Sequence, residues 1–382
     1  MPDSGYRAPF QGGTKRAVAP EVTLQRIAPL LEPCGITRLA DITGLDCLDI
    51  PVYTAMRPRG RITQSSQGKG ARAVDAKVSA LMEAIEGFCA ENPRATFERA
   101  SLIGLQRAGR NPIDPTTLFR FDPSARWTPS RKTLWVDAVD LLTGDPCLLP
   151  ASSVYFIEPA IFHTSTNGLA SGNDETEATL HALLEVYERD ALSTLAVGSD
   201  ISFEDCDVID PTSIDAPVLQ THLEKLDRAG VTCKLLRVAV DSAVHTFVAL
   251  LLDPSPLASS SQISGGFGSH LSPAIAASRA ITEAAQTRGA NIHASREFLT
   301  MEMFSEFHEQ FYAMAMAFEP DTAWAELGDA STPTIAGDLR VVTQQCRDEG
   351  ASHIARHVLT PPGPNVAVVH VQIPGARDDF PM

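Results

Sequence analysis

One pattern occurs three times in this sequence: a glycine-rich segment leads into a long alanine-rich stretch that carries acidic residues at helical spacing. The glycine-rich segments begin near residues 68, 167 and 264. In the first stretch Ser79, Glu83 and Glu86 are four and three residues apart, so they share one face of a helix. We expect a fold in which three such glycine-loop and helix units surround a central cleft.

The second and third stretches show the same arrangement. The residues on the acidic face of the second helix are Glu177, His181, Glu185 and Glu188, with Arg189 beside them. The residues on the corresponding face of the third helix are Arg279, Glu283 and Gln286, with Arg288 one step round. A single helix of this kind is more often a solvated or salt-bridged face. Three of them favour a shared binding site.

The chemistry of these faces points to a magnesium–nucleotide site. The acids lie among Ala, Leu, Ile and Val, and a carboxylate is costly to bury unless it is paired or binds a cation. Magnesium prefers hard oxygen ligands and usually keeps phosphate oxygens in its shell. Glycine-rich loops at helix N-termini can bring backbone N–H groups to phosphate, and Lys69 could add a positive charge there. The Gly68-Lys69-Gly70 segment is not a Walker motif, because it lacks the GxxxxGK spacing.

Charge and cysteine content exclude several other classes of protein. The formal net charge of −16 argues against sequence-independent nucleic-acid binding. The seven cysteines form no CxxC pair or Cys/His cluster, so neither a zinc site nor a disulfide framework is predicted. No apolar run is long enough to span a membrane and the N-terminus lacks a signal-peptide core, so we expect a cytoplasmic protein.

The order of elements predicts a mixed α/β (α+β) fold. Helical patterns at 71–92, 173–196, 272–294, 298–317 and 335–349 are interspersed with strand patterns, without the regular spacing of a doubly wound sheet. Candidate strands include 133–143, a pair within 233–254, and 366–373. We expect an N-terminal region, 1–60, packed on a core domain of residues 61–382.

Three segments resemble the core blocks of the YcaO family. They are QGKGARAVDAKVSALMEAIEG, NGLASGNDETEATLHALLEVYERDA and GGFGSHLSPAIAASRAITEAAQTR, and the resemblance extends from about Thr23 to the C-terminus. The earlier stretch GITRLADITGLDCLDIPVYTAMRP is similar to YcaO proteins that work with a TfuA partner. That subgroup is associated with thioamidation of peptide backbones, whereas other members make azolines or amidines.

The resemblance implies a role for each matching residue. Those implied to bind nucleotide are Ser79, Glu83, Asn173, Glu185, Arg189, Glu283 and Gln286, and Lys69 is added to them because of its place in the first glycine-rich segment. Those implied to hold magnesium are Glu83, Glu86, Glu177, Glu185 and Glu188. Those implied to be catalytic are Arg189, Gln286 and Arg288. A further element, Ser295-Arg296-Glu297, has a less defined role.

The resemblance also implies a reaction. A nucleophile adds to an amide carbonyl, and phosphorylation of the oxygen by ATP lets it leave as phosphate, so catalysis is mainly positioning and charge neutralisation. We expect ATP and Mg2+ as cofactors, a peptide or protein substrate, a TfuA-like partner, a sulfur donor and a homodimer. An azoline-forming cyclodehydratase and a non-catalytic scaffold that binds leader peptides are the alternatives.

Two positions depart from the family pattern. Gly87 stands where the family usually has arginine, and the C-terminus reads PGARDDFPM rather than PGLE or a proline-rich tail. Other residues have two interpretations each. His181 and Cys89 are expected to be structural rather than a ligand and a sulfur carrier, and Asp379 to Met382 is expected to be an inert end rather than a docking tail.

Overall fold

The structure, a computed structural model, describes residues 10–11, 13–197, 200–238, 242–254, 262–294, 306–360 and 366–380. The helices in these ranges are α1 Pro20–Ile27, α2 Ala73–Glu91, α3 Leu102–Arg107, α4 Glu175–Ser193, α5 Pro217–Arg228, α6 Pro273–Ala294, α7 Glu306–Met316 and α8 Ile335–Asp348. The strands are β1 Phe10–Gln11, β2 Thr14–Lys15, β3 Arg38–Asp41, β4 Val52–Met56, β5 Ser65–Lys69, β6 Glu98–Ala100, β7 Thr133–Asp140, β8 Pro146–Pro150, β9 Leu169–Gly172, β10 Ala196–Val197, β11 Asp200–Ile201, β12 Cys206–Val208, β13 Thr232–Val238, β14 His245–Leu252, β15 Ile263–His270, β16 Ala355–Val358 and β17 Ala367–Gln372.

Among the described residues, three antiparallel sheets of three or more strands organise the fold beside two two-stranded pairs, which confirms the predicted α+β class. Their strand orders are β3-β4-β5, then β6-β7-β16-β17-β9 with β8 also on β7, then β12-β13-β14-β15. Strand β14, HTFVALLL, is buried along its whole length, as its apolar sequence predicts. The expected strand pair within 233–254 is formed by β13 and β14.

The three repeated units are strand–helix units rather than loop–helix units. Strands β5, β9 and β15 each end the order of their sheet, and they lead into α2, α4 and α6. The glycine-rich segments therefore lie largely within these strands. Our prediction that they form loops was wrong, while the prediction of three acidic helices is confirmed.

Close packing of helix on strand explains the glycines. A Cβ atom on Gly68 would lie 2.0 Å from the backbone nitrogen of Ala80, and one on Gly266 would lie 2.0 Å from that of Ala284. Gly172 meets helix α4 in the same way, with backbone nitrogen at 2.4 Å. These glycines let the helices approach the strands, so at these positions the sequence pattern reports packing and not a phosphate cradle.

Local signals set several helix boundaries. Helix α4 starts at the N-cap Asp174, whose side chain accepts a hydrogen bond from Glu177 N at 2.8 Å. Helix α8 starts at Thr334 in the same way, with Gly337 N as the donor at 3.0 Å. The predicted helix at 298–317 is described from Glu306, and the Ser295–Glu297 element lies outside the described residues.

The N-terminal region is interwoven with the rest of the chain. Strand β4 pairs with β5, so the predicted boundary at residue 60 falls inside one sheet. Across the same boundary, the buried Arg57 forms an ion pair with Glu91 of α2. No helix among the described residues is long and apolar enough to cross a membrane.

Candidate active site

A cavity of about 470 Å³, here called the main cavity, lies between α2, α4 and α6. It brings together residues from Gly13 to Thr287, which lie far apart in the chain. The predicted site residues that line it are Lys69, Ser79, Glu83, Glu86, Asn173, Glu177, Glu185, Glu188, Arg189, Glu283 and Gln286. Helix periodicity thus identified the correct faces: on α2, α4 and α6, the face predicted to carry the acidic residues is the one that lines the cavity.

Arg288 is the predicted site residue that does not line the main cavity. Its side chain is 4% exposed and donates to Asp46 at 3.0 Å and to Asp253 at 2.9 Å. These two carboxylates belong to the segment before β4 and the segment after β14. Arg288 therefore joins α6 to two other parts of the fold, and its position does not fit a catalytic contact in the main cavity.

The carboxylates of the main cavity are held in an environment that disfavours charge. Burial raises the pKa of Glu86 to about 8, with the nearby Glu83 adding to the effect. Burial likewise raises the pKa of Glu185 to about 8, and Glu188 contributes. Glu83 presents its surface to the cavity, yet the surrounding protein raises its pKa to about 7. A bound cation would remove much of this cost.

Basic residues balance part of this negative charge. Burial acts to raise the pKa of Glu283, but the charges of Lys69 and Arg189 outweigh it, and Lys69 forms an ion pair with this carboxylate. Arg189 NH2 lies 3.9 Å from Glu188 Oε1, and its guanidinium lies over the ring of Phe267 at 5.8 Å. Lysine and arginine so placed can contact phosphate.

Glu177 is engaged by protein donors on both oxygens. Ala17 N donates to Oε2 at 2.9 Å, Arg16 donates to Oε1 at 3.3 Å, and Asn173 Nδ2 lies 3.2 Å from each oxygen. The Thr23 hydroxyl donates a hydrogen bond to Asn173 Oδ1 at 2.9 Å. Glu177 is thus fixed between the N-terminal segment and α4, which leaves it less available to a metal ion than the other acids.

The remaining acids fit magnesium bound together with phosphate. Glu188 Oε2 is buried and has no hydrogen-bond partner among the described residues. No three acidic, imidazole or thiol side chains in the described part of the chain come close enough to chelate an ion alone. Magnesium is usually bound by one or two carboxylates plus phosphates and water rather than by an all-protein cage. Glu83, Glu86, Glu185 and Glu188 could serve in this way.

Sequence reasoning did not assign a role to two arginines of the main cavity. Arg16 lies in an irregular segment with no periodicity, so no signal in the sequence placed it near Glu177. Arg279 lies on the predicted face of α6, and its NH1 is 3.2 Å from His181 Nε2. Burial and nearby cations hold the pKa of His181 well below its usual range, so this imidazole is neutral.

Gly87 lines the main cavity next to an arginine from another segment. A Cβ atom on Gly87 would lie 2.7 Å from Nη1 of Arg57. The Arg57 guanidinium donates to Ala84 O at 3.2 Å and forms an ion pair with Glu91. The space beside Gly87 is therefore already taken by a guanidinium.

Cys89 and the C-terminal segment, for which the sequence allowed two interpretations each, are both packed against the rest of the protein. Cys89 is 4% exposed, and burial raises its pKa to about 12, which leaves the thiol unreactive, as expected of a packed cysteine. The C-terminal segment is docked rather than free: Asp379 N donates to Ser193 Oγ at 3.1 Å, and Phe380 is buried against Phe267. Asp379 and Phe380 thus pack on their own chain, and the prediction of an inert end stays a prediction; residues 381–382 lie outside the described ranges.

Comparison with known proteins gives one family. A family model described as YcaO cyclodehydratase, ATP- and Mg2+-binding, matches residues 67–377. Two Mycobacterium tuberculosis proteins are 39% identical over 303 residues, which is 77% of this chain; the chain spans 66% of their length. A Rhizobium leguminosarum bv. trifolii protein, named for its place in the tfuA 3' region, is 36% identical over 291 residues, covering 74% of this chain and 68% of that protein.

A solved structure shows the same fold. It is YcaO from Methanopyrus kandleri bound with AMPPCP and Mg2+, which superposes with a TM-score of 0.76 at 23% sequence identity. The match covers 98% of this chain and 95% of that one.

Proposed function

The chain belongs to the YcaO family, and on that premise we propose that it uses Mg–ATP to activate a backbone amide of a peptide, for thioamidation with a TfuA-like partner and a sulfur donor. The observation that carries the proposal is the main cavity itself. Carboxylates and basic side chains from three helices of the same build meet there, in the family described as ATP- and Mg2+-binding.

The residues of the main cavity divide by charge into two tasks. Glu83, Glu86, Glu185 and Glu188 offer oxygen ligands that would bind and orient magnesium. Lys69 and Arg189 neutralise phosphate charge, and the carboxamide of Gln286 can donate to the reacting oxygen. Bound Mg–ATP would supply the phosphoryl group that turns an amide oxygen into a leaving group.

Thioamidation is the favoured product class for two reasons. One relative is named for its place in the tfuA 3' region, and residues 35–58 are similar to TfuA-type members. Cyclodehydration is the second candidate, because the matching family model is described as a cyclodehydratase.

The nucleotide site is tested by Glu188→Gln. This change keeps the side-chain shape but removes the charge of a buried carboxylate, so we expect Mg–ATP binding to be lost while the fold persists. The matched control is Glu175→Gln on the same helix, where the side chain is 55% exposed and pairs with Arg356 at 3.6 Å. Calorimetry gives both affinities. Wild-type affinity in Glu188→Gln would exclude this site.

The product class is tested by mass spectrometry of a candidate peptide incubated with the protein, its partner, Mg–ATP and sulfide. Replacement of oxygen by sulfur raises the peptide mass, whereas loss of water in ring formation lowers it. A mass increase that requires sulfide supports thioamidation. A mass decrease independent of sulfide supports cyclodehydration instead.

A further inference from the structure

A second cavity, of about 240 Å³, adjoins the main cavity. Its lining includes four aromatic rings, from Phe119, Tyr155, Phe156 and Phe162, together with charged and polar side chains. Phe156 lines both cavities, and the segment 164–166 contributes to both as well. The two cavities are therefore neighbours that share Phe156 in their linings.

The floor of the second cavity carries two buried polar side chains from strand β17. His370 is 2% exposed and Gln372 is 1% exposed, and their i and i+2 positions place them on the same face of the strand. Gln372 Nε2 donates to Ser153 O at 3.0 Å, which fixes the orientation of the carboxamide. Among the described residues, neither Gln372 Oε1 nor His370 Nδ1 has a hydrogen-bond partner.

These two atoms are candidates for contact with a ligand. Buried polar atoms are nearly always paired, and Gln372 Oε1 can only accept, so a ligand group that pairs with it is an N–H or O–H donor. The four aromatic rings favour an apolar body on the same ligand. Whole small-molecule ligands occupy cavities of roughly 300–1,000 Å³, so this smaller space suits part of a larger ligand.

We propose that the second cavity binds one residue of the peptide substrate, adjacent in the chain to the amide that is activated in the main cavity. This inference rests on the proposed function. A peptide that passes Phe156 enters both cavities: its reacting amide lies in the main cavity, which Lys69 and Arg189 line, while a neighbouring residue packs against the rings. One of its backbone N–H groups donates to Gln372 Oε1, and His370 Nδ1 meets a second polar group of the peptide.

The test uses N-acetyl-L-phenylalaninamide as the probe, because it has an aromatic body and amide N–H donors. Binding is measured by saturation-transfer NMR on the full chain, and Mg–ATP affinity is measured by calorimetry on the same samples. Gln372→Met removes the acceptor but keeps the side-chain size. Thr164→Trp places a large ring at an exposed lining position, and Thr128→Trp is its control on an exposed loop outside both cavities.

We expect the wild type and Thr128→Trp to bind the probe, Gln372→Met to bind it about tenfold more weakly, and Thr164→Trp to lose it. Mg–ATP affinity should stay unchanged in all four proteins. No probe binding by the wild type, or equal binding by all four, overturns the second cavity as a peptide site. Failure of the wild type to bind Mg–ATP would instead overturn the proposed function, so the two failures are distinguishable.

Discussion

Arg57 and Gly87 lie side by side, and the position of Arg57 affects how the glycine at position 87 is interpreted. A family position that usually holds arginine is glycine here, and the sequence alone leaves open whether a cation is missing. In the structure the guanidinium of Arg57 lies beside Gly87, buried and paired with Glu91. A positive charge thus lies beside Gly87 on a residue thirty positions earlier, a proximity that no spacing rule in the sequence could reveal.

Gly87→Arg should therefore impair the protein. The first side-chain atom would lie 2.7 Å from Arg57 NH1, and displacing Arg57 would strand the buried Glu91. Overpacking and a broken buried ion pair together predict a loss of about 2–4 kcal/mol in the free energy of unfolding. Urea unfolding of the variant and the wild type measures this loss.

The double variant Arg57→Ala, Gly87→Arg is the control, because it frees the space and keeps one arginine next to Glu91. We expect it to recover part of the lost stability. If Gly87→Arg alone had wild-type stability and a higher rate of ATP turnover, Arg57 would not fill the role that we assign to it.

The helices were predictable and the strands before them were not. Acids at three- and four-residue spacing identify α2, α4 and α6 and the faces that meet in the main cavity. Gly68 and Gly266, by contrast, read as loop residues because glycine is depleted in strands in general. These strand positions hold glycine because the backbone of a packed helix occupies the space that a side chain would fill. This requirement comes from a tertiary contact rather than from a local conformational preference.

Neighbouring glycines of β15 provide a matched test of this packing. In Gly266→Ala the new Cβ would lie 2.0 Å from Ala284 N, a backbone atom that cannot move without shifting α6. In Gly265→Ala the nearest atom is Leu250 Cδ2 at 3.9 Å, an ordinary contact. We expect Gly266→Ala to lose more than about 3 kcal/mol or fail to fold, and Gly265→Ala to change by less than about 1 kcal/mol.

Thermal unfolding of both glycine variants measures the difference. Similar stabilities would mean that α6 does not depend on the close approach at Gly266. Because α6 carries Glu283 and Gln286, a partly folded Gly266→Ala should also bind Mg–ATP more weakly than Gly265→Ala.

The molecule as a whole builds its site from segments far apart in sequence. Glu177 is clamped by Ala17 and Arg16, and Arg288 is held by Asp46 and Asp253. Periodicity cannot predict such pairs, because the partners lie in irregular segments that no local pattern aligns. For Arg288 this is why the helical pattern placed it with the site residues, whereas its contacts are to two carboxylates outside the main cavity. A homodimer and a cytoplasmic location stay predictions of the sequence.

Burial of the cavity acids, with their mutual repulsion, also sets how stability depends on pH. Glu86 and Glu185 have pKa values of about 8 in the folded protein, against an ordinary value of 4.5. Their stabilising contribution is complete below the ordinary value and is lost as pH rises through about 8, because the unfolded chain releases these protons first. Buried histidines such as His181 and His370, with lowered pKa values, act in the opposite sense, but their effect ends near the ordinary imidazole value of 6.5.

Without metal or nucleotide, the free energy of unfolding should therefore fall between about pH 7 and about pH 8.5. Glu86→Gln removes one of the titrating groups, so its stability should fall less over the same interval and should exceed that of the wild type at the upper end. Saturating Mg–ATP should reverse the trend in the wild type, because a cation favours the ionised carboxylates. Urea unfolding at both pH values, with and without Mg–ATP, measures each effect. A flat profile for the metal-free wild type, or identical slopes for it and Glu86→Gln, would show that the acids of the main cavity are already ionised in the empty protein.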